Sequence, residues 1–221
     1  MMTSTQIKVV ITLAVVIWGA LLFLEGVSLK TDYLKPYSIV VGGVILVGTV
    51  YDLYLWRMWP FSLFGPRPIL RGTWRGQLTS TWRDSKTGSV LDPIDVYLVV
   101  HQRSSTVWLR LMSRESRSAS TSAGISEISG GYQVSSTYLN VPKILVREGS
   151  AIHHGSLIFE IGNRFPRRLE GSYWTDRKTT GELLLNAYSP ATYSDFDEAA
   201  EGKYEAGVQP RLGPWRIGRK R

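Results

Sequence analysis

Two long apolar runs open the chain. Val9 to Leu29 carries one charge, Glu25, and Tyr37 to Trp56 carries one, Asp52. At 1.5 Å per residue the first run reaches about 31 Å as a helix, matching a hydrocarbon core. Thr31 to Pro36 separates the runs, and Pro36 suits the first turn of a helix. The pattern predicts a two-helix transmembrane anchor over residues 1–58. Tyr33, Tyr37, Tyr51, Tyr54, Trp56 and Trp59 lie near its interfaces, as aromatic belts do. A cleavable signal peptide fits poorly: its apolar region spans about 7–15 residues and ends in small residues. Glu25 and Asp52 sit near the span ends, placed to cap an interface or to line a polar seam between associated copies.

Residues 59–68, Trp-Pro-Phe-Ser-Leu-Phe-Gly-Pro-Arg-Pro, form a stiff Pro-rich linker. Beyond it the period becomes two. Strand-like runs fall at about 72–82, 94–102, 106–113, 117–128, 131–140, 155–162, 168–175 and 182–189. In the third, Val107, Leu109 and Leu111 alternate with Trp108, Arg110 and Met112. Gly130-Gly131, Asn163 and Asp176-Arg177-Lys178 read as turns. Eight short strands predict an all-β domain over 69–189: an eight-stranded antiparallel meander closed into a lipocalin-like β-barrel. Such a barrel has room for one small ligand. The alternation fails after Ser189, so 190–221 reads as an irregular or disordered tail. Its terminal Arg-Lys-Arg suits anionic lipid.

Composition narrows the chemistry. The 221 residues include no Cys, which excludes disulfides, Cys–zinc sites and thiol catalysis. Three His leave little for a metal centre, and the adjacent His153 and His154 read as loop residues. The formal charge is +8, and 57–189 holds 17 of the 26 basic residues against ten of the 18 acidic ones. A basic, Arg-biased domain points to anionic partners. Arg57, Arg67, Arg71 and Arg75 outnumber Lys30 and Lys35 of the inter-span loop, which predicts a cytoplasmic β-domain. No Walker loop, nucleophile elbow or spaced metal-binding His pair is present, so the expectation is a binding protein, not an enzyme, with no cofactor.

Two segments stand out. Gly72-Thr73-Trp74-Arg75-Gly76 opens the first strand, where Trp74 serves either as a barrel floor, as in lipocalin-type barrels, or as a ligand contact. Leu169 to Leu183 reads as strand, polar turn, strand: a packed hairpin with a solvated basic turn, or a surface where Tyr and Trp stack bases while Thr and Arg meet phosphates. Alternation puts Tyr173 and Thr175 on one face and Trp174 on the other.

Together these features resemble one bacterial family, the SMODS-associating two-transmembrane, β-strand-rich effectors of CBASS antiphage defence. The residues carrying the resemblance are Gly72-x-Trp74 and Gly171-Ser172-Tyr173-Trp174-Thr175-Asp176-Arg177-x-Thr179-x-Gly181, behind two spans and a Pro-rich linker. The resemblance implies an inner-membrane protein whose cytoplasmic barrel binds a cyclic dinucleotide made by a partner CD-NTase-type nucleotidyltransferase. Binding then drives self-association into oligomers, disruption of the bilayer and cell death. It singles out Trp74, Tyr173, Trp174, Thr175, Arg177 and Thr179 as ligand-binding residues. Charge and proximity add Arg71, Arg75 and Asn186. Two other readings stand beside it: a membrane-tethered lipocalin-like carrier of a lipid or small anion, and a structural envelope protein with a filled barrel.

Overall fold

The computed structural model describes residues 11–12, 15–16, 18–20, 23–24, 31–58, 67–83, 88–89 and 92–210. The chain divides into two units, 1–66 with 103–105, and 67–102 with 106–221.

In the first unit, helix α1 spans Thr31–Leu53 and a single 3-10 turn follows at Leu55–Arg57. The helix leaves Val44, Ile45, Leu46 and Val47 exposed in sequence. No helix among the described residues is long and apolar enough to cross a membrane. Most of the first expected span, Glu25 included, lies outside the described residues, as do 59–66 of the linker and the terminal Arg-Lys-Arg. Asp52 is engaged within this unit. Its carboxylate accepts from the Ser104 hydroxyl at 2.6 Å and the Ser105 N–H at 2.9 Å.

The second unit is the expected barrel. Eight strands, β1 Gly72–Ser80, β2 Ile94–Gln102, β3 Val107–Met112, β4 Ser116–Ile128, β5 Gly131–Pro142, β6 His153–Ile161, β7 Leu169–Thr175 and β8 Thr180–Ser189, pair antiparallel in sequence order. β1 closes the sheet on β8, from Thr73 opposite Ser189 to Ser80 opposite Gly181. The seam has a bulge: Arg75 faces Ala187 and Gly76 faces Leu185, so Asn186 is the extra residue. Each strand lies within about three residues of its expected bounds, because period-two patterning is strong wherever one face is buried. The turns were less legible. Ser129 (φ 51°) and Gly130 (φ 78°) make the two-residue β4–β5 turn, which needs left-handed backbone at both positions. Lys178 takes φ 60° in the β7–β8 turn.

The core fills one end of the barrel. Trp74 is fully buried there with Leu98, Phe159, Leu169 and Leu185. Its indole N–H donates to the Leu70 carbonyl at 2.9 Å, and its ring meets Tyr188 at 4.9 Å. Gln102 ties the segment before β1 across this end, accepting from the Leu70 N–H and donating to the Pro68 carbonyl. Trp74 therefore serves as the floor.

The tail departs from the expectation of disorder. Residues 190–210 fold onto the outer face of the barrel, with a short helix α2 at Phe196–Ala200 and a two-residue strand β9, Glu205–Ala206, paired to β8. Tyr193, Phe196, Ala199 and Tyr204 cover Tyr97, Val99 and Met112. Asp195 caps α2 by accepting from the Glu198 N–H, while Glu198 accepts from the Ser194 N–H. The physical reason lies in β2, where Val96 to Val100 is continuously apolar. A strand buried on both faces needs a second cover.

Candidate functional site

The end opposite Trp74 is open. A cavity of about 580 Å³ runs into the barrel from this mouth, within the roughly 300–1,000 Å³ typical of ligand pockets. Directly opposed residues of neighbouring strands share a face, so the registers stack the lining in tiers. Nearest the mouth on β4 and β5 come Ser116 and Pro142, and just inside them Ser118, Asn140 and His153. Below them lie Ser120, Tyr138, Gly155 and Thr175. The next row runs through Ser136, Leu157, Tyr173, Gly181 and Ser80, rising with the strand tilt from inside the barrel on β5 to the mouth end of β1. The β1–β3 side of the same cavity is aliphatic, with Leu78, Ile94, Val96, Leu98, Leu109 and Leu111. One wall thus offers hydroxyls, an amide and phenols, and the other offers branched apolar side chains.

Tyr138 and Tyr173 lie flat because their neighbours lack side chains. A Cβ on Gly155 would overlap the Tyr138 ring, and one on Gly181 would overlap the Tyr173 ring. Burial pushes both phenols above the ordinary tyrosine value; for Tyr138, proximity to Tyr173 and Asp176 adds to it. The two rings therefore line the cavity as neutral donor–acceptors with open π-faces.

The β7–β8 hairpin supplies the mouth. Thr175 and Thr179 bring their hydroxyls to 2.6 Å at its neck. Between them Arg177 donates to Ser150 Oγ at 3.1 Å and to the Gly149 carbonyl at 3.3 Å, bracing the loop before β6. Asp176 accepts from the His154 N–H and donates its own N–H back to the His154 carbonyl. The Tyr-Trp-Thr-x-Arg-x-Thr-x-Gly pattern is thus one physical unit: a wall tyrosine, a threonine clasp, an arginine brace and a glycine that clears the ring.

Four of the nine expected site residues meet at this cavity: Tyr173, Thr175, Arg177 and Thr179. Five do not line it. Trp74 is the floor. Trp174 is 45% exposed on the outer face, as strand alternation required. Arg75 alternates with Trp74 and is exposed, and Asn186 is exposed at the bulge. Arg71 lies at the floor end, where its carbonyl accepts from the Tyr188 hydroxyl. Charge and nearness in sequence chose these last three, and neither reports which face a side chain takes. The same limit applies to the Arg-rich composition. Among the described residues, Arg177 is the arginine lining this cavity, and beside the two tyrosines Glu115, Glu148 and His153 are the other ionisable groups there.

The serine wall went unread. Ser116, Ser118 and Ser120 alternate along β4 with Arg117 and Ala119, and that period of two was the available signal. His153, expected in a loop, instead opens β6 and faces inward, while His154 turns out to solvent.

Residues 66–187 match the family described as Cap15, cyclic dinucleotide receptor domain. The chain is also 27% identical over 149 residues to the CD-NTase-associated protein 15 of Staphylococcus schleiferi, covering 67% of this chain and 76% of that protein. A family match across more than half of the chain, seated on the barrel and its mouth, decides the assignment: the chain belongs to the Cap15 cyclic dinucleotide receptor domain family.

Proposed function

We propose that this protein is a membrane-anchored, non-enzymatic receptor of CBASS antiphage defence that binds a cyclic dinucleotide in the mouth-side cavity of its barrel. The observation that carries the reading is the composition of that cavity. A cyclic dinucleotide presents two phosphates and two bases with π-faces and polar edges. The cavity pairs two uncharged tyrosines with Ser, Thr and Asn groups, and holds one guanidinium at its mouth. Pro142, Leu145, Val146, Leu157 and Leu183 extend the apolar lining beyond the β1–β3 side, as a fatty-acid carrier also requires, but the Ser, Thr and Asn groups of the polar wall would find no partner on an alkyl chain. The family membership and the CD-NTase-associated relative support a functional partnership with a nucleotidyltransferase that makes the messenger.

The anchor belongs to the same proposal. The hydropathy of 9–29 and 37–56 and the exposed aliphatic run 44–47 support insertion of both segments in the inner membrane. The basic residues after the second span support a cytoplasmic barrel. One helical hairpin cannot enclose an aqueous path. Membrane disruption therefore requires several copies, and ligand promotes their assembly only by binding the assembled form more tightly.

Calorimetry of the full-length protein in detergent against cyclic dinucleotides and fatty acids tests the binding. Saturable uptake of a cyclic dinucleotide is the expected result, whereas uptake of fatty acid alone would replace the receptor with a carrier. Crosslinking in membranes with and without messenger, read beside dye entry into cells, tests the output. Permeable cells containing only monomer would exclude the assembly step.

A further inference from the structure

Most polar groups around the cavity satisfy one another. The Thr175 and Thr179 hydroxyls pair, Ser136 donates to the Ser122 carbonyl, and Ser120 accepts from the Leu109 N–H. Asn140 is different. Its Nδ2 donates to Ser118 Oγ at 2.8 Å and to Ser116 Oγ at 3.2 Å, so both amide hydrogens are used. The two serines fix the plane of the amide and leave Oδ1 as its remaining functional end. Asn140 is 8% exposed and lines the cavity, and its Oδ1 has no hydrogen-bond partner but is shielded from the lumen, so a small shift of the side chain must present it to a ligand. A buried amide oxygen without a donor is costly, and a native fold keeps one for a reason.

We propose that Asn140 is a specificity-determining residue whose Oδ1 accepts a hydrogen bond from an N–H of one nucleobase of the bound cyclic dinucleotide. This rests on the receptor reading above. With both hydrogens committed to Ser116 and Ser118, Asn140 reads the base as an acceptor only. It selects an edge that presents a ring N–H or an exocyclic amino group at this point, and it rejects an edge that presents a lone pair. This differs from bidentate amide–adenine pairing, in which the amide also donates. Ser116 and Ser118 are positioning residues, acting on the ligand through the amide they orient.

The test is calorimetry of the full-length protein with cyclic di-adenosine, di-guanosine, di-uridine and uridine–adenosine monophosphates. Asn140→Leu keeps the bulk and removes the acceptor. Affinity for the preferred messenger should fall about 3- to 10-fold, the effect of one neutral hydrogen bond, with smaller losses for the others. Ser118→Ala frees one amide hydrogen, lets Asn140 donate, and should reorder the four ligands. If Asn140→Leu does not fold, the ranking in Ser118→Ala decides alone. A wild type that binds, with variants that keep its ranking and affinities, overturns the role of Asn140 and leaves the receptor reading intact. A wild type that binds none of the four overturns both.

Discussion

The Tyr173 ring lies along the barrel wall over Gly181, its partner across the β7–β8 ladder: a Cβ on Gly181 would come within 2.5 Å of the ring. Glycine here does not relieve a turn. It lets the ring lie flat against the wall and leaves the middle of the lumen open, and Gly155 does the same for Tyr138.

Gly181→Ala should therefore act on stability and binding together. The added methyl meets the Thr79 carbonyl as well as the ring, an overpacking that costs about 1–3 kcal/mol. The displaced phenol narrows the cavity and weakens ligand uptake. Gly124 in β4 has nothing within 4 Å of its would-be Cβ, so Gly124→Ala should leave the thermal midpoint and the affinity nearly unchanged. Thermal melts with and without ligand check both variants.

Arg177→Ala removes the cation at the mouth and the brace on Gly149 and Ser150. A hydrogen bond to a charged group is worth about 1.5–3 kcal/mol, so affinity should fall roughly 10- to 150-fold while the barrel stays folded. Hydrogen exchange should show faster opening of the loop before β6. An unaltered affinity would make Arg177 a purely local tie.

The two motif tryptophans should separate cleanly. Trp74→Ala empties a fully buried site and should cost about 3–5 kcal/mol. Trp174→Ala acts on an exposed outer face and should change stability by less than about 0.5 kcal/mol, with binding retained. Chemical denaturation followed by calorimetry distinguishes them.

The phenols set an alkaline limit. Burial raises the folded-state values of Tyr138 and Tyr173 above the ordinary tyrosine value of about 10. The unfolded chain therefore gives up these protons first, and the stability they contribute is lost as pH rises above about 10. Below that pH their contribution is constant. Tyr138→Phe should flatten part of the decline in stability between pH 10 and 12, measured by urea unfolding.

How much of this was legible follows from what alternation encodes. It located eight strands and placed Tyr173 and Trp174 on opposite faces, because a buried face forces a period of two. It also carried the serine wall, but Ser contrasts weakly with its polar neighbours, so Ser116, Ser118 and Ser120 gave no hydrophobic signal. Arg71, Arg75 and Asn186 were chosen by charge and nearness, and the barrel turns Arg75 and Asn186 to solvent and leaves Arg71 at the floor end. The folded tail was announced by β2 instead of by its own sequence, since Val96 to Val100 leaves no polar face for water.

The β1–β8 seam has a consequence in time. Thr73 meets Ser189, so the lumen does not exist until nearly the last strand has been synthesised. Closing so long a loop is slow, because its entropy is lost before the pairing rewards it. Residues 1–66 leave the ribosome first. In the proposed receptor, a newly made copy thus enters the bilayer while still blind to the messenger. In that receptor, sensing begins only when the chain returns to its own first strand.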